Sequence, residues 1–417
     1  MTITESVLED ALATRDQQPI DDSGPMAVGT LDLDTTRYEQ VSDGHNGVVP
    51  TRALVLLRSN GWPIGLDEFE LIDGRPSGAI SAQLDREVLA SPSRSVTDLP
   101  PLSVVVCTRN RPALLERLLA DLLPLLDVDD ELIVVDNAPD DDATAQVVAK
   151  HAPRVRRIVE PTPGLANARN SGLSAATNVF VVFTDDDVKP DPGWLTVIKS
   201  TFVAHPGAVC VSGSVLPQSL GTVAERYFQE FGGYVSDFRE TEYHLSLDPM
   251  PSPIFPFHPR LLGTGANMAF RAEALLAIGG FDSALGAGTK SRGGEDIDIA
   301  VRLLMAGHLL VRQPAAVVWH PSHRSLAALR SQIEDYGCGL AAVMFKFATQ
   351  RSTSMKLLRR VPHGLRTLVA RDSSKNSKRT TSYPRSLKWA ELRGISLGAF
   401  AYRAALRERR RFEERHG

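Results

Sequence analysis

Long apolar runs, paired cysteines and a leader-like start are what this sequence lacks. No stretch approaches 18 consecutive apolar residues, which argues against a membrane-spanning helix. The three cysteines, Cys107, Cys210 and Cys338, are too widely spaced for a zinc or disulfide framework, so a reducing, cytoplasmic setting is expected. No basic stretch followed by an apolar one opens the chain, so no secretory signal is expected. The middle of the chain does not interleave aromatic with basic residues, which argues against nucleic acid as a partner.

What is present is apolar content for a large core, 43% over 417 residues, and an uneven charge. The net charge is −4, yet Arg351 to the end carries 18 Lys and Arg against 5 Asp and Glu, a local +13. An acidic body with a basic tail suggests an anionic partner for that tail. Residues 1–45 are polar and read as flexible. Residues 46–100 read as a small accessory β region and linker: "TRALVLLRSNGWPIGLDEFEL" places an Asn60-Gly61 turn between two extended runs, the pattern of a hairpin. Residues 323–417 read as helical and basic.

Between these lies an α/β pattern over residues 101–322. "LSVVVCTRN", "ELIVVDNAP", "VRRIVEP" and "NVFVVFTDDD" are apolar runs separated by "PALLERLLADLLPLL", "ATAQVVAKHA" and "GLANARNSGLSAA", which have helical character. Strands this continuously apolar predict a mostly parallel, Rossmann-like sheet with helices on both faces. Ligands of such sheets bind beyond the carboxyl ends of the strands, and there the polar clusters "CTRNR", "DNAPDD" and "TDDD" fall. Three successive aspartates after an apolar strand repel one another, so they suit either a positive partner such as a metal ion or a helix-capping turn with spare acids on the surface.

The series "VVVCTRNRPALLERLL", "LIVVDNAPDD", "PGLANARNSGL", "VFTDDDVKPDPGWL", "GTGANMAFRAEAL", "GGEDIDIAVRLLMAG" and "VVWH" resembles the family 2 glycosyltransferases of GT-A fold. The resemblance covers roughly residues 101–322 and leaves both ends unexplained. It implies a nucleotide-diphosphate-sugar donor, Mn2+ or Mg2+, and inverting transfer to an acceptor hydroxyl. On the donor it implies Thr108, Arg109, Arg111, Asp136 and Arg169, with Asp185 at the ribose and Asp186 intermediate. On the metal it implies Asp187 and His320. The aspartate of the Glu295-Asp296 pair is implied as general base, with Glu295 assisting, while Asp298 stabilises the helix start. Gly265, Ala266 and Asn267 are implied around the sugar and acceptor, with Asn267 hydrogen-bonding the sugar. Trp194 is either a sugar platform or core.

The donor expectation favours UDP-sugar, and the acceptor is a glycan, a lipid-linked saccharide or a small molecule. The ill-patterned stretch Gly232–Arg260 is expected to act as an acceptor loop. Two other readings compete: a sugar-nucleotide pyrophosphorylase, and a catalytically silent nucleotide- or carbohydrate-binding protein of an envelope assembly. "CTRNRP" is not the glycine-rich basic loop of the first, and the second would not need both Asp187 and Asp296. The tail segments "MKLLRRVPHGLRTLV" and "AYRAALRERRRF" mix apolar with basic residues, which suits peripheral contact with the inner face of an anionic membrane, or packing against the acidic body of the same chain or of another subunit in a homo-oligomer.

Overall fold

The computed structural model describes residues 24–42, 48–78, 80, 99–232, 238–258, 263–370 and 383–416. An N-terminal sheet holds β1 (Met26–Asp32), β2 (Arg37–Gln40), β3 (Arg52–Ser59), β4 (Trp62–Ile72) and β5 (Arg75–Ser77), in the order β2-β1-β3-β4-β5. The expected hairpin is β3–β4, closed by Asn60 at φ 50° and Gly61 at φ 77°; positive φ at both turn residues matches the twist of the paired strands. The flexible reading fails for residues 26–40, because β1 pairs in parallel with β3 and buries Met26, Ala27 and Val28. Residues 1–23 and 43–45, and 91–98 of the linker, lie outside the described residues.

The main sheet is built from β6 (Leu102–Thr108), β7 (Glu131–Asn137), β8 (Val155–Glu160), β9 (Phe180–Asp185), β10 (Lys189–Pro190), β11 (Ala208–Pro217), β12 (Thr241–Tyr243), β13 (Asn267–Arg271) and β14 (Leu309–His320). Its order is β10-β14-β11-β13-β9-β6-β7-β8, with β12 also on β14. β8, β7, β6 and β9 are parallel, as is β11 with β14, whereas β10, β12 and β13 run antiparallel to their neighbours, making the sheet mixed.

Strand alternation divides the core between two faces. Val104, Val106, Leu132 and Val134 meet α1 (Pro112–Leu122) and, beyond α2 (Ala143–Ala149) and α3 (Leu165–Ala175), α4 (Trp194–Ala204). Val105, Cys107, Ile133 and Val135 meet α3 and, after α5 (Val223–Gly232) and α6 (Ala272–Ala277), α7 (Glu295–Met305). All three cysteines are buried thiols, and burial pushes Cys107 up to about 12, leaving it unreactive.

The C-terminal part is α8 (Leu326–Thr349), α9 (Arg351–Leu358), α10 (Val361–Val369) and α11 (Arg385–His416). Among the described residues no helix is long and apolar enough to cross a membrane. The stretch 232–260 is not structureless where described: β12 pairs with β14, and Phe238, Tyr243, Phe255 and Phe257 are buried. Residues 233–237, 259 and 260 lie outside the described residues.

Candidate active site

The register of the main sheet aligns Thr108 with Asp136 and Cys107 with Asp185, so the polar ends of β6, β7 and β9 share one edge. The three aspartates at the end of β9 do not face one way. Asp186 turns inward, where Thr108 Oγ1 donates to its Oδ2 at 2.6 Å and Arg111 Nη2 lies 2.7 Å from its Oδ1. Burial outweighs these contacts and pushes the Asp186 carboxyl up to about 6. Asp185 and Asp187 turn the other way, toward His320 at the end of β14.

His320 Nδ1 lies 2.7 Å from the Pro321 carbonyl. A carbonyl can only accept, so that nitrogen carries the proton and Nε2 is the atom aimed at Asp187 Oδ1, 3.3 Å away. Asp187 Oδ1 is buried without a hydrogen-bond partner, while Arg111 Nη1 donates to Oδ2 at 3.0 Å. One ligand atom each from Asp185, Asp187 and His320 lies within 4.8 Å of the others. Two carboxylates, one with an unpartnered buried oxygen, and an imidazole fixed by its other nitrogen fit a divalent cation. The geometry thus brings Asp185 into one cluster with Asp187 and His320.

Arg169 fits neither a phosphate ligand nor an exposed helix residue. It is buried on α3, with Nη1 on Glu295 Oε1 at 2.8 Å and Nη2 on Asp185 Oδ1 at 3.4 Å. Its guanidinium lies against Gly265, where a Cβ would come within 2.5 Å of Nη2, so any side chain there would displace it. Gly294, at φ 91°, turns the chain into α7, whose first two residues are Glu295 and Asp296. Asp296 accepts from the Ile297 amide at 2.7 Å and the Gly265 amide at 3.3 Å. Burial raises both carboxyls above the usual carboxylate range; for Glu295 the charge of Asp296 adds to the rise, and Arg169 opposes it for both. Asp298, one turn in, is a buried anchor paired with Arg302 at 2.8 Å and with Lys346 of α8 at 2.6 Å.

Asp136 is fully buried, and Arg157 donates to its Oδ2 through Nε at 3.0 Å and Nη2 at 2.6 Å. Its Oδ1 has no hydrogen-bond partner. Arg109 is exposed on the adjoining loop. Arg157 escaped sequence reading because it sits inside β8, where only the register with β7 reveals its partner.

The pocket expectation is corrected at two residues. Asn267 is sealed in the core: Oδ1 accepts from Trp194 Nε1 at 2.8 Å, and Nδ2 donates to the Ser214 and Ala316 carbonyls, each at 2.8 Å. With its amide committed and no exposure, it cannot meet a sugar, and Trp194, equally buried, is core. Ala266 is buried beneath the site, its carbonyl accepting from Thr184 Oγ1 at 2.8 Å. A residue missed in the sequence is Tyr336 of α8, which sits by Phe228 and Phe231 of α5. It is 46% exposed, its hydroxyl accepts from Gln332 Nε2 at 3.1 Å, and desolvation followed by the charges of Asp296 and Asp185 raises its phenol pKa. Helical periodicity alone marks it as one more aromatic on a packed helix.

Several known proteins are similar to this chain. The profile described as glycosyl transferase family 2 matches residues 103–259. A pre-mycofactocin glycosyltransferase of Mycobacterium tuberculosis is 30% identical over 232 residues, covering 54% of this chain and 43% of that protein. The chain therefore spans less than half the length of that relative. An uncharacterized glycosyltransferase of Mycobacterium bovis is 30% identical over 180 residues, covering 43% of this chain and 69% of that protein. Among solved structures, a mannosyltransferase from Pyrobaculum calidifontis in complex with GDP-Man and Mn2+ aligns with TM-score 0.47 and 19% identity, over 75% of this chain and 92% of that one.

Proposed function

The chain belongs to the family 2 glycosyltransferases, and from that premise we propose that it transfers a sugar from a nucleotide-diphosphate-sugar to an acceptor hydroxyl with inversion. The observation that carries the reading is the junction made by Arg169, which touches Asp185 of the Asp185–Asp187–His320 cluster and Glu295 beside Asp296. A cation site and a raised-pKa carboxylate, joined by one buried guanidinium, are what donor activation and proton removal require side by side.

Asp185, Asp187 and His320 would hold Mn2+ or Mg2+, which when bound neutralises the departing diphosphate. Asp136 fixes Arg157 at the end of the neighbouring strands on the nucleotide side, and UDP-sugar is favoured as donor. Arg109 and Arg111 stand on the adjoining loop as donors to the nucleotide. Asp296 takes the acceptor's proton as its oxygen attacks the anomeric carbon from the face opposite the diphosphate. The Gly265 and Ile297 amides aim its carboxylate. Glu295, committed to Arg169, positions that arginine and does not itself move a proton.

The acceptor is a hydroxyl of a glycan, a lipid-linked saccharide or a small molecule. The enzyme is placed on the cytoplasmic side, where its three buried thiols stay reduced. A panel of nucleotide sugars with Mn2+, scored for released nucleotide, tests the reading: one donor should be turned over and chelation should stop it. With pyrophosphate added, formation of nucleoside triphosphate together with sugar 1-phosphate would assign a pyrophosphorylase. Tight nucleotide binding without turnover of any donor would assign a silent binding protein.

A further inference from the structure

The basic tail was expected to present "AYRAALRERRRF" to its partner, but Tyr402 and Ala405 in that segment are buried. α11 instead runs beside α8 in the same direction at unusually close range. A Cβ on Gly394 would lie 2.0 Å from the Glu334 carbonyl oxygen, and one on Gly398 2.6 Å from that of Cys338. Leu387, Ala390, Gly394, Gly398, Tyr402 and Ala405 occupy that inner face. The opposite face is thereby committed outward.

On it stand Trp389, 69% exposed, Leu392, 51%, Leu397, 38%, and Phe400, 70%. Spacings of three, five and three residues hold these side chains on one side of the helix. Arg385, Lys388, Arg393, Arg403 and Arg407 are exposed around them. Arg393 keeps a 3.6 Å ion pair with Glu334, and Arg403 lies over the Phe345 ring, yet neither is buried. From Arg385 to Arg407 the one acid is Glu391, which is buried on the inner side.

We propose that this outward face of α11 docks reversibly on an anionic lipid surface, with Trp389, Leu392, Leu397 and Phe400 entering the headgroup boundary and the flanking cations meeting the headgroups. Large apolar side chains bordered by Lys and Arg suit that interface, since the long basic stems can reach headgroups while the rings sink. A second copy is disfavoured by charge. Two-fold antiparallel pairing about Ser396 would set Arg385 and Lys388 of one copy against Arg407 and Arg403 of the other, with no exposed acid between them. The face is also close to the chemistry. Gly293, just before α7, packs against Gly339 of α8, and Tyr402 and Ala405 of α11 share a core cluster with Val301 of α7. The proposal does not depend on the transfer reaction.

Sedimentation of the full chain with phosphatidylcholine vesicles containing increasing phosphatidylglycerol tests it. Deleting α11 is the wrong variant, because it would strip the close-packed glycine face of α8. Trp389→Ser/Phe400→Ser and Arg393→Gln/Arg403→Gln/Arg407→Gln alter exposed side chains, and thermal melts confirm that each folds. The bound fraction of the unaltered chain should rise with phosphatidylglycerol and fall with salt, and each variant should lower the partition coefficient by about tenfold or more. A chain that stays in the supernatant at high phosphatidylglycerol and low salt overturns the proposal. So does a Trp389/Phe400 variant that binds as the unaltered chain does. A dimer that dissociates in that variant, without vesicle binding by either form, would make the face a contact between copies instead.

Discussion

Burying the Arg169 guanidinium is sustainable because Glu295 and Asp185 share its charge at 2.8 and 3.4 Å. Arg169→Met would leave Glu295 buried beside Asp296 with no cation, a loss expected to cost about 3–5 kcal/mol in urea unfolding; an unshifted midpoint would show that the pair adds little. Asp296 has a different liability. Asp296→Asn keeps the shape but cannot take a proton, so donor affinity should persist while transfer falls by roughly 10²–10⁴-fold. The pH dependence follows from the direction of its shift. Burial raises its pKa, and only the ionised carboxylate can act as a base, so transfer should be lost as pH falls through a value above the 3.8 of an ordinary aspartate. A kcat/KM profile flat down to that ordinary value would separate Asp296 from the rate.

Among the elements, the accessory sheet is the one whose role the sequence hides. Arg58 on β3 pairs with buried Asp191, four residues after Asp187. The Asp191 amide donates to the Val317 carbonyl at 3.1 Å, and β10 pairs Lys189 with Trp319, the neighbour of His320. Met26, Val28 and Leu54 of the accessory sheet pack on Val317 and Trp319. The sheet therefore braces the two segments that carry Asp187 and His320. Arg58→Met should weaken Mn2+ binding by about tenfold, read by titration, whereas unaltered affinity would limit Arg58 to a fastening role. β3, β4, β6, β7 and β9 were legible in the sequence because their apolar runs end in turn residues or polar clusters. β1 was not, because its partner β3 lies some twenty residues away in parallel and no local turn announces the pairing. Asn267 and Arg169 were misread for a related reason: Ser214, Ala316 and Trp194, or Glu295 and Asp185, become neighbours only through the fold. A residue type and a motif position do not reveal which side chains have already claimed its hydrogen bonds.

At the scale of the whole molecule, the acidic body and the basic tail are partly each other's counterions. Tyr402 donates to Asp282 at 2.9 Å, Arg409 lies 3.6 Å from the same carboxylate, and Lys346 bridges Asp282 to Asp298 of α7. The C-terminal helices thus brace the helix that begins with Glu295 and Asp296. Base, cation site and tail form one connected structure, and the cation site is where the account is most exposed to test. Mn2+ titration followed by electron paramagnetic resonance, with UDP present, separates its parts. The unaltered chain and Asp296→Asn should each bind a single Mn2+ with similar affinity, and Asp187→Ala should bind none in the same range. Equal Mn2+ affinity in Asp187→Ala, with the fold intact, would contradict the placement of the ion at Asp185, Asp187 and His320.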